Sequence, residues 1–318
     1  MTANTIGQKR GTSCGWNKYE NNPVLGGEHG TCFDLSVLKD NGVYKMYFSW
    51  RPKQSIALSE SLDGINWSEP IIVLGPRETK KGWEDELNRP VVVRRNDEYH
   101  MWYTGQYKAG QPDGHSWIFY ATSPDGIEWT RRSLEPVLTF EEPWEKVAVM
   151  CPHVIWDESS ALWKMWYSGG EQYEPNAIGY ATSKDGLQWN KLSTNPIFEC
   201  DPNVAWEQHK VAGCQVVKID GWYFMFYIGY YNEHYAQVGL ARSKNGVDDW
   251  ERHIHNPIIA PDEGAWDGDA CYKPYAIFDG QRWVLWYNGR RGAPEQIGVA
   301  FHEGKDLGFS ERLSANNR

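Results

Sequence analysis

Short segments in which aromatic and apolar side chains alternate with smaller or polar ones recur five times along the chain. The first copy reads Tyr-Lys-Met-Tyr-Phe-Ser-Trp, and the copies occupy residues 44–50, 99–105, 163–169, 223–229 and 283–289. An alternation of period two predicts a β-strand. A spacing of roughly sixty residues is enough for one four-stranded sheet per copy and is typical of radial repeats. The pattern therefore predicts an all-β fold built from five similar units.

Each unit has further strand-sized segments in a constant order around this motif. A short apolar segment precedes it, at residues 35–38, 90–93, 152–155, 214–217 and 274–277. A third segment follows, and then comes Ser-x-Asp-Gly-x-x-Trp, at residues 61–67, 123–129 and 183–189. Asp-Gly supplies a positive φ to a tight turn. We expect the tryptophan of this turn to pack between neighbouring sheets.

The fourth segment begins with proline in four units, at residues 69–72, 135–138, 195–198 and 256–259. Proline at the start of an outer strand removes no ladder hydrogen bond. The fifth such segment, residues 22–25, precedes the first unit, so we expect the N-terminal strand to complete the last blade. The prediction is one domain, residues 1–318, forming a five-bladed β-propeller of four-stranded antiparallel blades. The predicted blades span approximately residues 32–75, 86–139, 149–199, 211–260 and 271–305.

The overall composition argues against several functional classes. The formal net charge of −10 disfavours a nucleic-acid partner, because phosphate binding needs a basic face. No apolar run reaches the roughly 18 residues of a membrane-spanning helix, and the first residues show no signal-peptide pattern. We therefore expect no membrane partner and a cytoplasmic location. The cysteines show neither a CxxC pair nor metal-finger spacing, so no metal and no other cofactor is predicted. The oligomeric state is left open.

In a propeller, the loops that enter the first strands meet the loops between second and third strands at one end of the axis. Four units carry a Trp-acid pair before the first strand, which we expect to be architectural: Trp83-Glu84, Trp144-Glu145, Trp206-Glu207 and Trp266-Asp267. Asp34 is the only carboxylate directly before the core of a first strand, where the other units have Arg89, Cys151, Gly213 and Lys273. A carboxylate beside bases is expected to be ionised, which suits a general base or nucleophile. The alternative for Asp34 is a structural turn cap.

Four further acids are candidates for the proton donor. Glu171 follows two glycines on an exposed loop nearly opposite the first unit, and it would act as the donor if burial raised its pKa. The alternative for Glu171 is a solvated loop acid. Glu86, Glu174 and Asp269 compete for the same role, and Asp269 could instead orient Lys273 or bind a substrate hydroxyl.

Basic, amide and aromatic residues accompany these acids at the same end of the axis. Aromatic faces stack on sugar rings, and guanidinium groups bind vicinal hydroxyls or a carboxylate. The predicted substrate-binding residues are Trp50, Arg51, Asn88, Arg89, His153, Tyr230, Tyr272, Lys273 and Arg290. The basic residues have two interpretations. They could bind an acidic sugar, or they could simply keep the neighbouring carboxylates ionised.

The five repeats, the Ser-x-Asp-Gly-x-x-Trp turns, the Asn-Pro outer strands and an Asp at the entrance of the first unit resemble the five-bladed propeller glycoside hydrolases. The chain resembles families 43, 32 and 130 over roughly residues 20 to 310, and it looks most like family 43. In family 43 the Asp of the first blade is the base, and Asp34 matches it by position. The other two family acids have no equivalents, because blades three and four begin with Met150-Cys151 and Ala212-Gly213. Some such families hold a divalent ion on the axis, but no ligand set in this sequence indicates one.

This resemblance implies a glycosidase, an O-glycosyl hydrolase of carbohydrate metabolism that acts on an oligosaccharide. We expect exo-acting removal of a terminal furanose or pentopyranose, such as arabinose, xylose or galactofuranose, with Asp34 as base or nucleophile and Glu171 as acid. Two alternatives remain open. One is a non-catalytic carbohydrate-binding propeller, and the other is a glycoside phosphorylase that holds phosphate with Arg89, Lys273 and Arg290.

Overall fold

The computed structural model describes residues 11–77, 82–107, 115–171 and 175–309. β-Strands dominate this part, beginning with β1 (Trp16–Lys18). The first repeat contains β2 (Cys32–Asp40), β3 (Val43–Trp50), β4 (Ser55–Ser61) and β5 (Ile71–Leu74). The second contains β6 (Glu86–Arg95), β7 (Glu98–Gln106), β8 (Ser116–Ser123) and β9 (Thr130–Arg131). The third contains β10 (Ala148–Asp157), β11 (Leu162–Gly170), β12 (Pro175–Ser183), β13 (Trp189–Lys191) and β14 (Phe198–Glu199).

The last two repeats continue the same order. The fourth contains β15 (Lys210–Ile219), β16 (Trp222–Tyr230), β17 (Ala236–Ser243) and β18 (Glu251–Arg252). The fifth contains β19 (Ala270–Phe278), β20 (Arg282–Arg290) and β21 (Gln296–Glu303). Short 3₁₀ helices lie at Gly27–His29, Arg51–Lys53, Pro143–Glu145 and Ala205–Glu207. Within the described ranges, no helix is both long and apolar enough to cross a membrane.

In every repeat the first three strands pair antiparallel in sequence order, and the all-β prediction is confirmed. The hydrogen-bonded sheets number four rather than five, because one parallel pair between Ala148 and Ser116 joins the second and third repeats into a nine-stranded sheet. Five separate sheets are therefore not seen. The first strands nevertheless contact one another in a closed cycle, β2 to β6 to β10 to β15 to β19 and back to β2. This cycle surrounds a common axis.

The N-terminal segment does pair with the last repeat, but the predicted strand is wrong. β1 pairs antiparallel with β21, whereas residues 22–25 form only a bridge between Leu25 and Ile297. Beside that bridge the Asn22 side chain accepts from the N–H of Val299 and donates to its carbonyl, at 2.9 Å each. An amide side chain thus takes the place of strand pairing at this point.

The predicted fourth strands are also wrong in part. β5 and β14 overlap the proline-led segments of their repeats. The corresponding segments form only isolated bridges in the other two cases, one in the second repeat and two, both at Ile259, in the fourth. Short strands directly after the Ser-x-Asp-Gly-x-x-Trp turn or its variant, β9, β13 and β18, pair with the third strands instead. The outer strand is therefore split, because proline cannot donate to a continuous ladder.

The Trp-acid pairs are architectural, as predicted. The four acids are buried, and each accepts a hydrogen bond from the second-strand tyrosine of its repeat, at 2.6 to 3.0 Å. In the fourth repeat Glu207 also pairs with Arg252 at 2.6 Å. The neighbouring tryptophan covers the glycines of the second and third strands, since a Cβ on Gly229 or Gly239 would lie 2.2 or 2.3 Å from the Trp206 ring.

The Ser-x-Asp-Gly-x-x-Trp turns connect neighbouring repeats. The indole of Trp102 donates to the turn carbonyl of Gly186 in the next repeat at 3.0 Å. Trp286 of the fifth repeat donates to Gly64 of the first at 2.8 Å, which helps to close the ring. The turn tryptophan Trp67 packs edge-on against Trp286, with ring centroids 6.1 Å apart. The expectation that these tryptophans pack between sheets is confirmed.

Candidate active site

Each first strand carries an irregularity at an equivalent position. Its pairing with the second strand shifts register there, and in four repeats the residue at the shift has a positive φ of 50 to 55°. The five residues are Asp34, Arg89, Cys151, Gly213 and Lys273. A bulge redirects a side chain. Neighbouring repeats meet here, because a Cβ on Gly213 would lie 3.4 Å from Lys273 Cδ and 3.5 Å from Cys151 Sγ.

Side chains of the preceding repeat hold these bulges. The backbone N–H of Asp34 donates to Asn288 Oδ1 at 2.8 Å, and that of Arg89 donates to Ser49 Oγ at 2.9 Å. Ser49 and Asn288 occupy the same place in the repeated aromatic motif. The motif therefore positions the residues that face the axis.

A cavity of about 410 Å³ lies at this end of the axis, within the usual range for a small-molecule site. Six of the residues predicted for the site line it: Asp34, Arg51, Arg89, Tyr230, Tyr272 and Arg290. Glu295 lines the same cavity although the sequence analysis did not select it.

Asp34 is fixed beside Arg89 on the cavity wall. Asp34 is 4% exposed, and its Oδ2 lies 3.4 Å from Arg89 Nε. This oxygen is buried and accepts no hydrogen bond from any residue that the structure describes. Arg89 Nη1 donates to Gln106 Oε1 at 2.9 Å, which orients the guanidinium. Burial lowers the pKa of Arg89, but the neighbouring acidic groups, Asp34 first among them and Glu295 further down, together outweigh it, so the pKa is raised and the cation persists. Asp34 Oδ2 is thus held beside a fixed cation and keeps lone pairs that no hydrogen bond occupies, so it can receive a proton or attack a bound substrate.

Glu295 precedes β21 and lies on the same wall. The Tyr272 hydroxyl donates to Glu295 Oε2 at 2.5 Å, and the N–H of Cys32 donates to the Glu295 carbonyl at 3.0 Å. Burial and the Glu295 charge raise the pKa of Tyr272 well above its ordinary value, so the phenol remains a donor. Both Asp34 and Glu295 act electrostatically on Arg89 and on Tyr272. Two carboxylates thus share one site.

A sequence signal for Glu295 existed. It is an acid in a loop between second and third strands, the class of loop expected at the mouth, where the first repeat has Gln54. The sequence analysis considered only residues nearer the start of that loop.

The structure does not bring Glu171 into the cavity lining. Its side chain is 63% exposed and pairs with Lys146 at 2.7 Å. The condition under which Glu171 would be the proton donor, a pKa raised by burial, is not met, because the hydrogen bond and charge of Lys146 lower the pKa of Glu171. This geometry matches the alternative of a solvated loop acid. Glu174, its competitor, lies outside the described residues.

Glu86 and Asp269 also stand apart from the lining. Glu86 is buried at the start of β6, where it accepts from Gln106 Nε2 at 3.2 Å. The same Gln106 orients Arg89, so Glu86 influences the site indirectly, through Gln106. Asp269 is exposed, and its Oδ2 accepts from the N–H of Gly292 at 2.7 Å, which stabilises a surface turn.

Trp50 and Asn88 adjoin lining residues in the chain without lining the cavity themselves. The indole of Trp50 donates to the carbonyl of His29 at 2.8 Å, which holds the ring against the preceding 3₁₀ helix. Asn88 is buried, and its Nδ2 has no hydrogen-bond partner among the residues described. No substrate contact is indicated for either side chain.

The substrate-binding role predicted for His153 is not supported by its position. His153 Nε2 donates to the carbonyl of Val216 in the next repeat at 2.8 Å, and burial lowers the pKa of His153 to about 3. Gln215, the equivalent residue of the fourth repeat, donates to the carbonyl of Ala276 at 2.8 Å. Each of these two side chains therefore links its own repeat to the next one by a hydrogen bond. Lys273 is buried at the fifth bulge and does not line the cavity either.

Among the described residues, Arg89 and Lys273 occupy two of the five bulge positions, and neither side chain supplies the oxygen ligands that hard divalent cations take. In the described ranges one group has metal-ligand spacing: Glu28, His29 and Glu69. None of the three lines the cavity.

Comparison with known proteins places the chain among carbohydrate-active proteins. A family model described as glycosyl hydrolases family 43 matches residues 20–306. Among solved structures, a thermostable family-43 glycoside hydrolase superposes with a TM-score of 0.67 at 20% identity, over 87% of this chain and 91% of that one. At this identity the likeness shows a shared fold.

The relatives found by sequence include two uncharacterised proteins and one phosphorylase. Uncharacterised proteins from two strains of Mycobacterium tuberculosis are 27% identical to the chain. One match spans 197 residues, 60% of each protein, and the other spans 286 residues, 83% of this chain and 89% of the relative. A 1,2-β-oligomannan phosphorylase of a Thermoanaerobacter species is 33% identical over 139 residues, 40% of this chain and 44% of the enzyme.

Proposed function

Because the chain belongs to the glycosyl hydrolases family 43, we propose that it is a glycosidase that releases a terminal sugar from an oligosaccharide. The observation that carries this proposal is that Asp34 and Glu295 line one cavity and that both carboxylates act electrostatically on Arg89 and Tyr272. Paired carboxylates are the usual machinery of glycoside cleavage. The five strand repeats would then be the five blades of a propeller, with the site at one end of its axis.

In this proposal Asp34 is the base or nucleophile. Its buried Oδ2 takes a proton from the attacking water, or bonds to the anomeric carbon, while the fixed Arg89 keeps the carboxylate paired. Glu295 enters this step in its protonated form and gives that proton from Oε1 to the leaving oxygen. The hydrogen bond from the Tyr272 hydroxyl to Oε2 then stabilises the carboxylate that is left. The modest volume of the cavity favours exo-acting release of one furanose or pentopyranose, such as arabinose, xylose or galactofuranose.

The test uses the full chain on oligosaccharides that end in these sugars and measures released monosaccharide. Asp34→Asn should lower the rate of monosaccharide release by about 10³-fold or more. Glu295→Gln should lower it by about 10²- to 10⁴-fold. An aryl glycoside with a good leaving group needs little proton donation. Glu295→Gln should therefore lose much less activity on that substrate than on an oligosaccharide.

Glu171→Gln is the matched control, since it is also a loop glutamate at this end but is exposed and paired with Lys146. It should keep activity within about twofold. Loss of activity in Glu171→Gln with full activity in Glu295→Gln would reverse the assignment of the proton donor. Full activity in Asp34→Asn would refute the mechanism.

A second candidate is phosphorolysis, which the 33% identity to the oligomannan phosphorylase favours. Phosphate would then replace water as the attacking group, and the product would be a sugar 1-phosphate. Turnover that requires inorganic phosphate and yields this product would decide for phosphorolysis. Release of free sugar without phosphate would decide for hydrolysis.

A further inference from the structure

The cavity is rich in positive charge although the chain as a whole is acidic. The formal net charge is −10, yet three arginines line the cavity against two carboxylates. The arginines are Arg51, Arg89 and Arg290, and the acids are Asp34 and Glu295. Because a cleft focuses the field of the charges that line it, this excess attracts anions.

The charge of Arg89 is already balanced within the cavity wall. Its Nε lies 3.4 Å from Asp34 Oδ2, and its Nη1 donates to Gln106 Oε1 at 2.9 Å. Arg89 is also buried, so it cannot turn towards a ligand without leaving Asp34. Any anion in the cavity must therefore be neutralised by the other two arginines.

Arg51 and Arg290 have no carboxylate partner among the described residues. The Arg51 guanidinium lies over the Phe33 ring, 4.5 Å from its centroid, and is exposed. Stacking on a ring uses the face of a guanidinium and leaves its N–H edge available. Arg290 uses one donor, Nη2, on the carbonyl of His234 at 2.9 Å. Both guanidinium groups thus retain donors for a ligand.

The two arginines occupy equivalent places in neighbouring repeats. Arg51 directly follows β3 and Arg290 ends β20, and β2 of the first repeat contacts both β19 and β20 of the fifth. Asp34 and Glu295 belong to these same two repeats. An anionic group near these carboxylates would be repelled unless the arginines offset their charge.

We propose that Arg51 and Arg290 bind an oxyanion carried by the sugar, so that the substrate is an acidic glycan bearing a carboxylate or a phosphate group. Guanidinium forks match both anions through charge-assisted paired hydrogen bonds. The inference rests on the proposed function for the identity of the ligand as a sugar. Free inorganic phosphate has the same chemistry and is the other source that the experiment must separate.

The experiment is calorimetric titration of the full chain at constant ionic strength. The probes are galacturonate against galactose, glucuronate against glucose, glucose 6-phosphate, and inorganic phosphate. The wild-type protein should bind at least one acidic sugar about tenfold or more tightly than its neutral counterpart. Arg51→Gln and Arg290→Gln should each remove most of this preference. Arg291→Gln is the control, because Arg291 is exposed and donates instead to the carbonyl of Gly264.

Equal binding of acidic and neutral sugars by the wild-type protein would overturn the proposal, as would a preference that survives in Arg51→Gln and Arg290→Gln. Binding of inorganic phosphate alone, lost in the same two variants, would assign the anion site to free phosphate and refute the acidic glycan. Melting temperatures of the variants check that they remain folded. Titration needs no turnover, so an absence of glycosidase activity would refute the proposed function and leave this result standing.

Discussion

Two Glu-Lys ion pairs of the third repeat have the same length and differ in burial. Lys191 Nζ lies 2.7 Å from Glu145 Oε2, and Lys146 Nζ lies 2.7 Å from Glu171 Oε1. The Glu145 side chain is 0% exposed, whereas that of Glu171 is 63% exposed. Replacing each glutamate by glutamine removes the charge and keeps the shape. The two variants therefore compare a buried, multiply hydrogen-bonded ion pair with an exposed one of the same length.

The buried pair should contribute several times more to the free energy of unfolding than the exposed pair. Glu145 also accepts from the Tyr167 hydroxyl and the N–H of Glu141, each at 2.7 Å. Removing one partner of a buried pair costs about 3–5 kcal/mol, but Lys191 is 13% exposed and can be partly hydrated. We expect Glu145→Gln to lower the free energy of unfolding by about 3 kcal/mol. Glu171→Gln should lower it by about 0–1 kcal/mol, because water and salt screen an exposed pair.

The assay is equilibrium unfolding in urea, followed by tryptophan fluorescence at low and high salt. Added salt should shrink the effect of Glu171→Gln and leave that of Glu145→Gln nearly unchanged. Equal losses of stability in the two variants would refute the reasoning, since the ion-pair distances are equal while Glu145 is buried and accepts further hydrogen bonds. A loss below about 1 kcal/mol for Glu145→Gln would show that the buried acid is not what stabilises its repeat.

Two further predictions concern packing and pH. Gly239→Ala would place a Cβ 2.3 Å from Trp206 and should lower the free energy of unfolding by about 2–3 kcal/mol, whereas Gly75→Ala, with its nearest neighbour atom at 3.6 Å, should change it by less than about 1 kcal/mol. Equal urea midpoints for the two variants would contradict this packing argument. Burial lowers the pKa of His153 to about 3, below its unfolded value of about 6.5, so the unfolded chain binds the extra proton and stability falls as the pH drops from 6.5 towards 3. His153→Gln, which copies Gln215, should lose less stability than the wild type between pH 7 and pH 4. Parallel profiles of melting temperature against pH would argue against this assignment.

Much of the fold could be predicted because each repeat carries its own local pattern. The second strand of the third repeat, for example, was expected at residues 163–169 and is β11 (Leu162–Gly170). Acids that recur in several repeats were predicted to be structural. Glu145 and Glu207 are indeed both buried, and each accepts a hydrogen bond from a tyrosine. The closing strand β1 could not be found in this way. Its three residues have no alternation of their own, and it is a strand only because β21 lies beside it.

The candidate site was predicted in part. Asp34 and Arg89 stood out because they depart from the other repeats at one position, and the structure places both on the cavity wall. Glu171 was predicted to be the acid because it lies on an exposed loop, but its side chain is solvent-exposed and forms an ion pair with Lys146. Glu295 was missed because the prediction covered only the first residues of its loop, and the sequence does not show which end of a loop reaches the cavity.

The repeated motif alone was sufficient to indicate an all-β chain of five similar units, since hydrophobic alternation and turn chemistry act between residues close in sequence. The meeting of Asp34 and Glu295 depends on ring closure, which brings the fifth repeat against the first. The burial of Asp34, its pairing with Arg89 and the raised pKa of Arg89 depend on contacts between repeats. They also depend on the bulges that turn these side chains towards the axis. The cavity exists only in the folded ring, because residues of all five repeats, far apart in the sequence, line it together.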